Sequence, residues 1–589
     1  MNSVSQKILL TVLGIAVAAG LLLATLTRVV TTWTCGSVTV GGDFITGLRV
    51  VVFGDTSVVT VPDGCTVPVP GIRVAAGVLV LLLTVAAGWG LALWWRWRQS
   101  DAYFVHEIKN RSGFAKRHEI LKHASARAML ARARTLRPDL SHHTVTDVAW
   151  PLGKSLRQDV YVSVEDSIVL EGPPRSGKGY RLLIGAIIDW SGPLITTSTR
   201  SDNLTATLTA RRARGQVAVF DPQHLAGIDT SLSVSPIVGC EDPLTADQRA
   251  QAIVKGTGLG TSSTNQEWAE AASGVLAKLL HACAVSGGDV ATLHRWGSNP
   301  VMAHGAVDVL RSDGTPGWGD ELASILDDTS NLLSSTWFGV KGAVRPLGIP
   351  SIREAMTPTG GHQFDPDEFL ASQNTLYLIG TGSGAGSVGG YLGALLDDIV
   401  ETARRKALAS PGSRLANPLG LVLDEIANMF TWPALPRIMA DGGGIGISPL
   451  VVLQALSQAE TAWSKAEADT IWSAATAKVV LGGASDVTHL RDLEALLGTR
   501  TVRRSSTTYT DNGDSVGVQK ERVPVMTLDE LRRMPQELGL LAYKNRRGIL
   551  LDLAGWTERA DASDIRAGRA HTEATQLATF RSQYESKTR

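Results

Sequence analysis

The stretch that most constrains the fold is "DSIVLEGPPRSGKGYRLLIGAIIDW", residues 166–190. An apolar run of strand length leads into Gly172, four free positions, then Gly177 and Lys178, and a helical run follows. A glycine-rich turn between a buried strand and a helix is a unit of a parallel α/β sheet. The glycines let backbone amides turn inward, and the helix N-terminus adds its dipole, so the turn can cradle phosphate. Gly172, Pro173, Pro174, Arg175, Ser176, Gly177, Lys178, Gly179 and Tyr180 form the candidate nucleotide-binding loop. Lys178 is the residue that would reach the β- and γ-phosphates. One position departs from the usual pattern. A Ser or Thr after the lysine normally offers its hydroxyl to Mg²⁺, and here that residue is Gly179. Ser176, a water or a nearby threonine would have to fill the place.

Such a loop needs a carboxylate at the end of a neighbouring strand to hold Mg²⁺, through water. "PLGLVLDEIANM", residues 418–429, supplies one. Asp424 is the candidate metal residue and Glu425 the candidate general base. Gln454 ends another apolar run, in "VVLQALSQAE", and is the candidate sensor of the γ-phosphate. A turn or helix cap is the lesser alternative for Gln454. A second glycine pattern, GxGxxG at Gly384, Gly386 and Gly389, has the local context of a dinucleotide fingerprint, with Asp397 or Glu401 for the ribose. No second βαβ half follows it, so a flexible glycine loop is the better reading.

The N-terminal hundred residues belong to another solvent. Residues 8–27 and 74–95 carry no charge and are long enough to span a bilayer. The first lacks a convincing cleavage site and reads as an uncleaved anchor. Arg96, Arg98, Lys109, Arg111, Lys116 and Arg117 crowd after the second span, whereas the 29–71 loop holds little basic charge. The positive-inside rule then puts both termini in the cytoplasm and 29–71 outside. That loop reads as a few short strands, and its location permits a disulfide between Cys35 and Cys65. Cys240 and Cys283 read as buried cytoplasmic thiols. Net charge is zero, from 56 acidic and 56 basic residues, so overall charge argues for no partner.

The remaining chain divides by pattern. Residues 101–159 read as a basic, mostly helical juxtamembrane region, suited to anionic lipid or to nucleic acid; spacing does not separate the two. Residues 160–239 and 351–556 alternate short apolar runs with helices, with "SIVLEG", "PLITTST", "VAVFDP", "TLYLIGT", "LGLVLDE", "PLVVLQAL" and "AKVVLGG" as strands and "LGLLAYKNRRGILLDL" as a late hairpin. Residues 240–350 read as an all-helical insertion, 502–523 as a polar loop or hairpin, and 557–589 as a charged flexible tail.

Taken together, the two spans, GPPRSGKG, "VFDPQHLAG", "LVLDEIANMFTWPALPRIMADGGGIGI" and "LQALSQAE" resemble the type IV coupling proteins, the TraG/TraD-like ATPases of conjugation and type IV secretion. The likeness runs from about residue 110 to 556 plus the anchor, and is strongest toward actinobacterial members. It implies an α/β fold: a RecA-like P-loop motor with an all-α insertion, preceded by two transmembrane helices. It implies ATP and Mg²⁺ as cofactors, and a homo-hexamer in the membrane. The implied partners are single-stranded DNA, or a DNA–relaxase complex, and the secretion channel subunits. Lys178, the Asp424–Glu425 pair and Gln454 carry over as phosphate lysine, Walker B acids and sensor. The family often tolerates glycine after the lysine. It often has an arginine where this chain has Ile445, which leaves Arg437 and Arg345 as candidates for an arginine finger. Three alternatives stay open: an FtsK-type DNA translocase, a protein-export ATPase, and a scaffold that binds nucleotide without hydrolysing it.

Overall fold

The computed structural model describes residues 3–228, 232–259, 265–328, 331–358, 363–381, 388–484, 486–508 and 515–588. The chain forms two compact units, Met1–Asn110 and Arg111–Arg589.

The first unit contains two long helices, Ser3–Cys35 and Val69–Arg98. Stretches of both, Gly14–Cys35 and Val69–Arg98, are long and apolar enough to cross a membrane. Each helix runs past its uncharged window at both ends. Arg96 and Arg98 lie in the last turn of the second, where positive charge meets the negative end of the helix dipole. Between the helices, β1 (Thr39–Val40) pairs antiparallel with β2 (Val59–Thr60). The valine run Arg49–Phe53 is a helical turn that ends on Gly54 at φ 70°. The loop therefore holds one short ladder where several strands were expected. Cys35 and Cys65 are joined by a disulfide, their Cα atoms 5.9 Å apart.

The second unit is built on one large sheet. Its strands are β3 (Ala149–Ser155), β4 (Gln158–Ser163), β5 (Ile168–Glu171), β6 (Leu194–Ser198), β7 (Val217–Phe220), β8 (Thr375–Ile379), β9 (Leu419–Leu423), β10 (Ile447–Leu453) and β11 (Ala477–Leu481). A separate ribbon, β12 (Thr499–Thr508) with β13 (Ser515–Pro524), follows, and β14 (Leu538–Tyr543) and β15 (Ile549–Asp552) return to the sheet. The order is β4-β3-β15-β14-β11-β5-β10-β9-β6-β8-β7. From β11 to β7 every neighbour is parallel; β14, β15, β3 and β4 add antiparallel strands at one side. All residues of β5, β6, β8, β9 and β10 are buried, as expected of parallel strands covered on both faces. Their C-terminal ends lie along one edge: Leu453 stands opposite Glu171, and Leu423 opposite both Val451 and Thr197.

Two cores flank the sheet. One joins it to helices such as Pro243–Lys255, Gln266–Val285 and Gly389–Leu408. The other gathers Ile120, Met129 and Leu136 with Trp150 and the strands β11, β14 and β15. The helix Asp202–Arg212 is anchored by fully buried Arg211, which donates to Thr375 Oγ1 at 2.7 Å and to the carbonyls of Gly192 and Gln373 at 3.2 and 3.1 Å.

Two expectations need correction. Residues 149–159 are not helical: β3 and β4 form a hairpin whose turn, Leu156–Arg157, sits at positive φ, and a bulge between Pro151 and Gly153 interrupts the alternation that marks a strand. The short helices before it bury their apolar residues against the large sheet, so 111–148 is part of the second unit. The tail is ordered as well. Ala562–Thr588 is a helix lying on Asp202–Arg212, with Ile565 and Trp556 packed against Ile184, Ile188 and Ala206. Arg559 grips Asp189 with two bonds of 2.7 and 2.8 Å. Gly568 lies so close to the helix that a Cβ there would meet Thr209 at 2.8 Å. Small residues and hydroxyls fill this groove, so composition gave no apolar stripe to read.

Candidate nucleotide site

The loop leaves β5 at Glu171. The Gly172 amide donates to the Leu453 carbonyl at 2.9 Å, which ties the loop to the end of β10. The turn itself needs left-handed backbone at Arg175 and Gly177, φ 64° and 85°. A side chain at Gly172 would stand 2.7 Å from Ser176 Oγ, so glycine is required for this close approach. Pro173 and Pro174 stiffen the approach, and Gln536 donates to the Arg175 carbonyl at 2.8 Å. Tyr180 turns away toward the C-terminal arm: its hydroxyl meets Thr557, and its ring lies where a Cβ on Gly555 would fall. Beneath the loop the Glu171 carboxylate accepts from His489 Nε2, both side chains under 5% exposed. Burial disfavours the imidazolium there, but the Glu171 bond outweighs it and the His489 pKa is raised.

The acidic pair sits at the end of β9. Strand alternation would send adjacent side chains to opposite faces. Glu425 instead adopts φ 53°, and its carboxylate swings back toward the loop. Its Oε1 lies 3.9 Å from Lys178 Nζ and accepts from Gln454 Nε2 at 2.8 Å. Its Oε2 accepts from the Thr199 hydroxyl. The three catalytic candidates, Lys178, Glu425 and Gln454, are thus brought together from three strand ends. Asp424 is buried beside them. Its Oδ2 accepts from Asn203 Nδ2 at 3.0 Å, and its backbone carbonyl from Thr197 Oγ1 at 3.0 Å. Burial pushes its pKa up to about 6 against the pull of Lys178, with the neighbouring Glu425 adding to the rise.

Thr199 and Asn203 were missed by motif reading. They lie in "TSTRSDN", residues 197–203, which runs from the end of β6 into the first turn of the next helix. The available signal was position: β6 neighbours β9, so the polar run after it faces the acidic pair. Two buried oxygens around the loop, Asp424 Oδ1 and Ser176 Oγ, have no protein partner among the described residues. Buried polar atoms are rarely left so, and a bound polar ligand would satisfy them. Inward-facing amides and Lys178 suit phosphate, and hard oxygens suit Mg²⁺, so the residues present fit a magnesium nucleotide.

The other candidates are elsewhere. Arg345 and Arg437 line cavities of about 670 and 370 Å³, neither of which includes a loop residue. Gly384 and Gly386 lie outside the described residues; Gly389 starts a helix, and Asp397 accepts from the Trp432 indole at 2.8 Å. Cys240 and Cys283 are buried thiols.

Comparison with known proteins adds family and fold. Residues 418–536 match the family model described as the TraM recognition site of TraD and TraG. No curated protein sequence matches the chain. The unbound bacterial conjugative coupling protein TrwBdeltaN70 is similar at 18% identity and a TM-score of 0.51, over 71% of this chain and 91% of that one. The plasmid coupling protein TrwB in complex with ADP and Mg²⁺ is similar at 17% identity and 0.51, over 71% and 92%. Its complex with the ATP analogue ADPNP gives 18% and 0.50, over 66% and 86%. The matched segment begins at the acidic-pair strand and ends beyond the ribbon. Residues 418–536 thus resemble a segment of TraD and TraG, and the unit that contains them is similar in fold to the coupling protein TrwB.

Proposed function

We propose that the chain is a membrane-anchored ATPase that couples a relaxase-bound DNA strand to a type IV secretion channel and drives conjugative DNA transfer by ATP hydrolysis. The observation that carries this reading is the convergence of Lys178, Glu425 and Gln454 beside buried Asp424, on the loop of a TrwB-like fold. The loop amides and Lys178 bind and orient the phosphates. Glu425 holds the attacking water and takes its proton, while Thr199 and Gln454 fix the carboxylate's direction. Gln454 bridges from β10 to Glu425, a position from which loss of the γ-phosphate can be passed to the next element. Mg²⁺ would be held by Asp424, through water, and would neutralise charge developing on the phosphates. The TrwB complexes with ADP and Mg²⁺ and with ADPNP support ATP and Mg²⁺ as the ligands of this site.

In this reading the two apolar helices cross the inner membrane, both termini are cytoplasmic, and the disulfide-bearing segment lies outside. The motor works as a homo-hexamer around a single DNA strand, gripping backbone more than sequence. The test is ATP hydrolysis by the full chain in detergent micelles, with and without single-stranded DNA. Expected is DNA-stimulated turnover that falls by at least ~10²-fold in Lys178→Ala and in Glu425→Gln. Tight nucleotide binding without turnover would replace the motor with a scaffold. Absence of DNA binding at low salt would remove DNA as cargo.

A further inference from the structure

The loop lacks the hydroxyl that usually meets the metal, yet the space beyond Gly179 is filled. A Cβ placed on Gly179 would stand 3.3 Å from Asn203 Oδ1 and near no other atom within 4 Å. Asn203 is 4% exposed, in the first turn of the helix Asp202–Arg212. Its Nδ2 donates to Asp424 Oδ2 at 3.0 Å. With the NH₂ on the Asp424 side, the side-chain carbonyl oxygen is turned to Gly179. That oxygen has no hydrogen-bond partner among the described residues.

The helical turn that carries it is tied down. The Asn203 backbone carbonyl accepts from Thr207 Oγ1 at 2.6 Å, and Thr207 shares a 2.7 Å bond with the Tyr377 hydroxyl. The two other oxygens considered from sequence are less well placed. The Thr199 hydroxyl is spent on Glu425. Ser176 Oγ is tucked against Gly172, at the start of the loop.

We propose that Asn203 replaces the missing loop hydroxyl, offering its side-chain carbonyl oxygen, beside Asp424, to the divalent cation that accompanies the nucleotide. The proposal rests on the nucleotide-site reading above. An amide carbonyl is a hard oxygen donor of the kind Mg²⁺ accepts, and asparagine serves this purpose in other phosphoryl-transfer sites. It also explains why glycine suits position 179: a β-carbon would crowd the substitute ligand.

The experiment is binding of fluorescent N-methylanthraniloyl-ADP to the full chain in micelles, in EDTA and across a Mg²⁺ titration, with bound Mn²⁺ counted by electron paramagnetic resonance. In Asn203→Ala the Mg²⁺ needed for half-maximal tightening rises about tenfold or more, while affinity in EDTA stays within about twofold. Adding Gly179→Ser to that variant restores the Mg²⁺ response, because a serine hydroxyl enters the vacated space. Gly179→Ser alone gains nothing, since its β-carbon meets Asn203. An unchanged Mg²⁺ requirement in Asn203→Ala overturns the proposal. So does an equal loss with and without Mg²⁺, or failure of Gly179→Ser to rescue a variant that melts like the wild type. Where Asn203→Ala does not fold, Asn203→Asp decides: it keeps an oxygen toward Gly179, so Mn²⁺ affinity holds or rises, and a fall overturns the idea. A wild-type chain that binds no nucleotide in either buffer breaks the underlying site; a wild type with a normal Mg²⁺ response and an indifferent variant breaks only the role of Asn203.

Discussion

The phosphate corner and the C-terminal arm, residues 553–588, share the helix Asp202–Arg212 but are built differently. At the corner, carboxylates are buried or half-buried and each is steered by a partner from another element: Glu425 by Gln454 and Thr199, Asp424 by Asn203. Along the arm the contacts are close approaches of small groups, with Arg559, paired to Asp189, as a clasp. Buried charge that is incompletely partnered is costly and persists where chemistry needs it; close packing serves stability and can be made from many residue types. The corner should therefore fail in turnover, and the arm in stability.

The largest effect expected is at the corner. Glu425→Gln should cut ATP turnover by ~10²- to 10⁴-fold with nucleotide affinity kept, measured by phosphate release and by analogue binding. A variant that instead unfolds would erase the distinction. Next comes the clasp. Arg559→Ala leaves Asp189 half-buried without its partner and should cost ~1–3 kcal/mol, read as a lower denaturation midpoint with turnover per folded molecule retained. A turnover loss of the Glu425→Gln order would show that the arm belongs to the site.

The pair beneath the loop sharpens the contrast through pH. The folded-state pKa of His489 is raised above 6.5. Its contribution to stability is thus full below pH 6.5 and lost as pH rises through the folded value. The wild-type melting temperature should fall as pH rises above about 6.5, and His489→Gln should flatten that slope. The smallest change is Phe580→Ala, which uncovers Gly227: about 1 kcal/mol or less, seen as earlier proteolytic cutting in the final helix.

The sequence was most legible where burial left little choice of residue. All seven parallel strands were readable because their runs are apolar without alternation, and the loop and the Asp-Glu pair carry their own context. β3 was not, because Pro151, Gly153 and a bulge break its pattern. The final helix was not, because its partner surface is about 360 residues earlier in the chain. Asn203 belongs to no motif; only the strand order that sets β6 beside β9 brings it to Asp424.

Left-handed backbone at Glu425 has a further consequence. Such a conformation costs a non-glycine residue ~1 kcal/mol or more, and glycine adopts it freely. Glu425→Gly should therefore make the motor slightly harder to melt while leaving it inert. A population of this chain screened for heat resistance alone would be drawn toward that glycine; under the proposed function, such a screen has to be coupled to ATP turnover, or it selects against the candidate general base.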